Sequence, residues 1–160
     1  MRGTYDVFAE SNPAFCAYAL NRFIEAFESF NADGPELPLC YLALPIALSG
    51  DLSQTFEGTN KNTGLLEWLT RRPEVQIELV DRLNGSIAVV TEAVRFSCFM
   101  KVLTLQDGRL KLGPKKLKKS AVNGLSAGPA SVIRSSERLG YWFAMAGSAR
   151  TTFDMMGLTV

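Results

Sequence analysis

None of the 160 residues is histidine, so acid–base, nucleophilic or metal chemistry here would have to come from carboxylates, lysines, tyrosines and thiols. The acid pairs Glu25/Glu28 and Glu74/Glu78 stand at helical spacing, but both fall on polar faces and read as solvated. Cys16, Cys40 and Cys98 are widely separated, lack CxxC spacing and lie among apolar neighbours. That is the pattern of reduced, buried thiols rather than of a disulfide or zinc framework. Gly113-Pro114-Lys115-Lys116 has the lysines of a phosphate loop without its second glycine or its following Ser or Thr. No nucleophile has a visible base. The expectation is a protein with no catalytic residue, no cofactor and no metal.

The basic residues are the remaining chemical signal. The net charge of +1 hides an asymmetry. The first 60 residues sum to −6, whereas eight basic residues (Arg95, Lys101, Arg109, Lys111, Lys115, Lys116, Lys118 and Lys119) against Asp107 alone give +7 between 95 and 119. Such a run is either a solvated, solubilising loop or a surface for phosphate. If double-stranded DNA is touched, these eight residues would contact phosphates without reading sequence. The helix before them argues against readout: its outer face carries Val89, Glu92, Ala93, Phe96 and Phe99 beside Arg95. Glu92 repels phosphate, and phenylalanine offers no hydrogen bond to a base edge. That face suits protein instead, either the chain's own carboxy-terminal helix or another subunit. Phe96, Phe99 and Trp142 are therefore the candidates for a partner interface. The asymmetry suggests one end facing protein and the other available to DNA.

Those side chains need elements to hold them, and 47% apolar residues suffice for one core. Asn12-Pro13 is a helix start, and Phe15, Tyr18, Ala19, Phe23, Ala26, Phe27 and Phe30 recur at spacings of three and four up to about Asn31. Leu37 to Leu48 is apolar on all sides, opened by Pro38 and interrupted by Pro45; a buried helix is favoured over a buried strand. At 12 residues it is shorter than the about 20 that span a membrane. With no apolar stretch near Met1, a soluble cytoplasmic protein is expected. Ser49 to Asn62, rich in Gly, Ser, Thr and Asn, is the only segment resembling a linker. Three short helices should follow, over about 64–71, from Pro73 to Asn84-Gly85, and from Ile87 to about Met100. The third would be capped by Ser86, with Ile87, Val90, Thr91, Val94 and Cys98 turned inward.

Lys101 to Leu112 is the clearest local signal: two alternating runs joined by Asp107-Gly108, a pair suited to a type I′ turn. That register sets Leu105 opposite Leu110 and Leu103 opposite Leu112, with four leucines on one face. Three helices and a hairpin in this order are those of a winged helix-turn-helix. A helix from about Pro129 and a short one capped by Ser148 close the chain; Gly140 reads as a close-packing position and Gly157 as a helix stop. The predicted fold is mainly α with one small β-hairpin, a single compact unit over 1–160. Its sub-parts are a helical amino-terminal part (1–48), a winged-helix-like part (62–119) and carboxy-terminal helices (128–158).

Several segments together resemble a known family. They are Asn12-Pro13-Ala14-Phe15-Cys16, the run Leu37-Pro38-Leu39 through Leu44-Pro45, Leu66 with Trp68-Leu69, Leu105 through Lys119, and Leu139-Gly140-Tyr141-Trp142-Phe143-Ala144 with Ala146-Gly147. In this order they are similar to the middle component of bacterial three-component ABC systems, with Lamassu-type defence systems as relatives. Ser148-Ala149 stands where that pattern has an Asp-Pro-like helix start, and serine keeps the cap. The resemblance implies a non-enzymatic adaptor joining an SMC-like ABC ATPase to an effector, often a nuclease, in a response to phage or plasmid DNA. It supplies no catalytic residue. From the residues alone, a winged-helix DNA-binding regulator is the competing reading.

Overall fold

The first helix, α1 (Pro13–Glu28), starts where the sequence predicts: Asn12 Oδ1 accepts the Phe15 amide at 3.1 Å, and Pro13 occupies the first turn. This is a computed structural model, and it describes residues 12–117 and 127–158. The predicted apolar stripe is buried from Phe15 to Phe27, but Leu20, Asn21 and Ile24 are buried as well. The helix is central: it packs most extensively against α6 (Ala127–Ala146) and then against α5 (Ile87–Phe99). It stops at Glu28, so Phe30, placed by periodicity at the end of the stripe, is 63% exposed.

The apolar run is a helix, α2 (Leu37–Leu48), opened by Pro38 and buried over most of its surface with Pro45 inside it. The stretch resembling a linker is folded. Gly50–Phe56 forms a 3₁₀ helix that buries Leu52, Thr55 and Phe56. The Phe56 ring lies 4.9 Å from Trp68 on α3 (Leu65–Arg71) and stacks at 5.8 Å on Trp142 of α6. Trp68 Nε1 donates to the Thr55 carbonyl at 3.0 Å, and Trp142 Nε1 to the Asn60 carbonyl at 3.0 Å. Three packed aromatic rings, two of them indoles with satisfied N–H groups, turn a polar, Gly-rich segment into core.

The helix expected from Pro73 to Asn84 is two pieces, a 3₁₀ turn (Pro73–Gln76) and α4 (Leu79–Asn84), separated by Glu78 at φ +57°. Val75 and Leu79 both remain buried while Ile77 between them is turned out. In α5 the inward residues are Val90, Ala93 and Ser97, so the buried face is rotated from the one predicted, and Ile87 is 52% exposed. Small residues let the helix backbone approach α1 closely, a gain that counting hydrophobic positions overlooks. Ser97 satisfies its buried hydroxyl on the Ala93 carbonyl at 2.7 Å. Ser86 makes no cap bond; its hydroxyl donates back to the Arg82 carbonyl at 3.0 Å.

The hairpin has the predicted register. Leu103 faces Leu112 and Leu105 faces Leu110 across β1 (Leu103–Gln106) and β2 (Arg109–Leu112), with Asp107 and Gly108 both at positive φ. Leu103 and Leu110 are buried, whereas Leu105 and Leu112 stay 50% and 37% exposed. Only the part of the leucine face resting on α1 and α5 is covered. Three α-helices, with a 3₁₀ turn between the first two, and a hairpin thus follow one another, but the tip, the part a wing would extend, is held down. The Leu37 amide donates to the Gly108 carbonyl at 2.8 Å, and the Leu110 amide to the Pro35 carbonyl at 3.0 Å.

The long helix α6 begins at Ala127, slightly before Pro129, and returns to pack on α1 and α2. A short α7 (Ala149–Met155) is capped by Ser148, which accepts the Thr151 amide at 3.2 Å; Gly157 ends it at φ +76°. Met156 faces inward and Phe153 is partly buried against the core.

Candidate interaction surface

Two backbone contacts gather part of the basic segment. After β2 the chain turns back on the loop that follows α5: the Gly113 amide donates to the Val102 carbonyl at 2.9 Å and the Lys115 amide to the Lys101 carbonyl at 3.1 Å. Gly113 is required, because a Cβ there would lie 2.3 Å from the Lys101 carbonyl oxygen. Lys101, Lys115 and Lys116 are exposed on this edge and make no ion pair within the described residues. They are free to meet phosphate.

The other predicted contacts are placed differently. Arg109 turns inward: Nη1 donates to the Gly34 carbonyl at 2.6 Å and Nη2 lies 3.9 Å from Glu36 Oε1. It anchors the hairpin tip instead of presenting a charge. Lys111 is half-buried beside Gly34. Arg95 is exposed but paired with Glu92 at 3.2 Å on its own helix. Lys118 and Lys119 lie outside the described residues.

The partner-interface candidates separate sharply. Trp142 is fully buried in the aromatic cluster and cannot face a partner; an indole on a helix stripe has the same periodicity in either role. Phe96 is half-buried. Phe99 is 83% exposed at the end of α5 and is followed in the chain by exposed Met100 and Lys101, and Leu105 on β1 is 50% exposed. An aromatic ring with so little cover, flanked by exposed apolar neighbours, is the kind of surface a partner buries.

Sequence reasoning missed Glu36. Its Oε1 accepts the Ala149 amide at the start of α7 at 3.0 Å, while its backbone bridges to Arg109, so one residue ties together α2, α7 and the hairpin tip. An acid whose partner amide lies 113 residues away gives no local signal of such a bond.

The thiols are chemically quiet. Burial pushes the ionisation of Cys40 far up and raises that of half-buried Cys98, the reverse of an activated cysteine. Among the described residues no group of three or more Cys, Asp or Glu side chains is placed to hold a metal ion, and no helix is long and apolar enough to cross a membrane.

No curated protein and no solved structure matches the chain. A family model does, over residues 7–160, and its span includes every segment on which the resemblance rested. The chain belongs to the ABC-three component (ABC-3C) system Middle Component 3 family.

Proposed function

We propose that this middle component is a non-catalytic adaptor. It joins an SMC-like ABC ATPase to an effector, with a nuclease as the expected effector, in a cytoplasmic anti-phage or anti-plasmid complex. The observation that carries the reading is Phe99, at 83% the most exposed of the large apolar side chains among the described residues, with Met100 and Leu105 exposed shortly after it in the chain. Phe96, also on α5, is half-buried. Lys101, Lys115 and Lys116 supply sequence-independent phosphate contacts when the assembled complex meets DNA.

The test is co-expression of this chain with the ATPase and effector encoded beside it, followed by size-exclusion chromatography of the assembly. Phe99→Ser leaves the isolated chain folded, because the ring covers little of its own core, and releases the chain from the complex. Full assembly with Phe99→Ser, or a genomic neighbourhood lacking any ABC or SMC ATPase, overturns the proposal.

A DNA-binding regulator is favoured by one observation, the grouping of the three unpaired lysines beside a hairpin. It is separable from the adaptor by titration of duplex DNA at two salt concentrations. Tight operator-like binding supports the regulator, and weak, steeply salt-dependent binding supports the adaptor.

A further inference from the structure

Between the segment Ser53–Thr59 and α6 lies a polar pocket of about 290 Å³. Arg134 and Arg138, one helical turn apart, line it together with hydroxyls from Ser53, Thr59, Ser131 and Ser135. Arg138 is half-buried, and its Nη1 is fixed by the Thr59 hydroxyl at 3.0 Å and the Phe56 carbonyl at 3.3 Å. Neither arginine makes an ion pair among the described residues. Burial first, and the neighbouring Arg134 charge second, make the positive form of Arg138 harder to hold than usual. Two cations are thus held near each other, Arg138 partly desolvated, with the Glu57 and Glu137 carboxylates in the neighbourhood but in no ion pair with either arginine among the described residues.

We propose that this pocket binds a phosphoryl group. Two guanidinium groups match a dianion, and the hydroxyls of Ser131 and Ser135 can donate to the oxygens the arginines leave over, whereas those of Ser53 and Thr59 already donate to the Gly50 and Phe56 carbonyls. A carboxylate, with one charge and two oxygens, is satisfied by a single arginine fork and leaves the second cation uncompensated. Glu57, exposed on the pocket's lining, disfavours a continuous line of phosphates across the mouth. The ligand therefore presents a terminal phosphate, carried by a mononucleotide or by a nucleic-acid end.

Calorimetric titration of the full chain at low ionic strength with inorganic phosphate, AMP and adenosine tests this. Phosphate and AMP bind saturably and adenosine does not. Arg134→Gln weakens both at least about tenfold, as loss of a charge-assisted contact would. Its melting temperature without ligand is unchanged, since Arg134 is exposed. Glu57→Gln tightens binding, and Lys115→Gln with Lys116→Gln leaves it unaltered, which separates the pocket from the lysine edge. A 5′-phosphorylated tetranucleotide and its unphosphorylated twin then distinguish the sources. Competition with AMP by the phosphorylated form alone identifies a nucleic-acid end, and competition by neither identifies the nucleotide. Absence of saturable binding, binding undiminished by Arg134→Gln, or acetate binding as well as phosphate overturns the proposal.

Discussion

At Gly140 a methyl group would sit 2.3 Å from the Phe23 carbonyl oxygen and 2.7 Å from Cβ of Ala26, so α6 could carry it only by backing away from α1. Gly140→Ala is expected to destabilise the chain by about 1–3 kcal/mol in urea unfolding, the usual cost of overpacking. Gly85→Ala, at a helix end with negative φ, should stay within about 0.5 kcal/mol. A second residue-scale prediction concerns acid. Arg82 forks onto Asp51 with two bonds of 2.9 Å, and these hydrogen bonds hold the Asp51 carboxyl below its ordinary pKa despite partial burial. A depressed folded-state pKa contributes stability that is complete above the ordinary carboxylate range and is lost as pH falls through the folded value. Asp51→Asn should therefore flatten the acid side of the stability profile below about pH 4. Because the pair is partly exposed, the effect should be no more than about 1 kcal/mol, measured as urea midpoints against pH. An unchanged acid limb would remove the pair from the account.

Among the elements, the hairpin was legible because its cues are local: Asp107-Gly108 dictates the turn, and alternating leucines dictate the pairing. The caps at Asn12 and Ser148 and the helix over Leu37–Leu48 were legible for the same reason. The rotated face of α5 was not, because Ala93 and Ser97 are buried for closeness to α1 rather than for hydrophobicity. Nor was the folding of Gly50–Phe56, whose buried Phe56 makes sense only beside Trp68 and Trp142. Of the site, exposed Phe99 and the lysines were legible as residue types; the burial of Trp142 and the inward turn of Arg109 depend on partners 82 and 75 residues away. The anchored tip makes an element-scale prediction. Arg109→Gln removes the bond to the Gly34 carbonyl, so hydrogen exchange at the Leu37 and Leu110 amides should accelerate, while Lys101→Gln leaves both protected. Equal protection in both variants would assign the anchoring to the backbone bonds alone.

Across the whole molecule, acidic and basic segments do not form opposite ends. Glu28 Oε2 accepts the Leu112 amide at 2.6 Å and Glu36 Oε1 lies 3.9 Å from Arg109 Nη2, so acids of the amino-terminal half abut the basic hairpin. The local sum of +7 over 95–119 is correspondingly reduced where it reaches solvent: Arg95 and Arg109 are engaged within the chain, and Lys101, Lys115 and Lys116 form its free part among the described residues. A surface with few free cations favours weak phosphate contact over tight DNA binding by this chain alone. Each lost phosphate contact removes about 0.9 from the slope of log affinity against log salt. Lys115→Glu with Lys116→Glu should therefore lower the DNA affinity of the assembled complex and reduce its salt slope by about 2, with assembly unchanged by size-exclusion chromatography. Should the double variant dissociate the complex while DNA binding by the remaining components persists, the lysine edge is a protein interface continuous with Phe99.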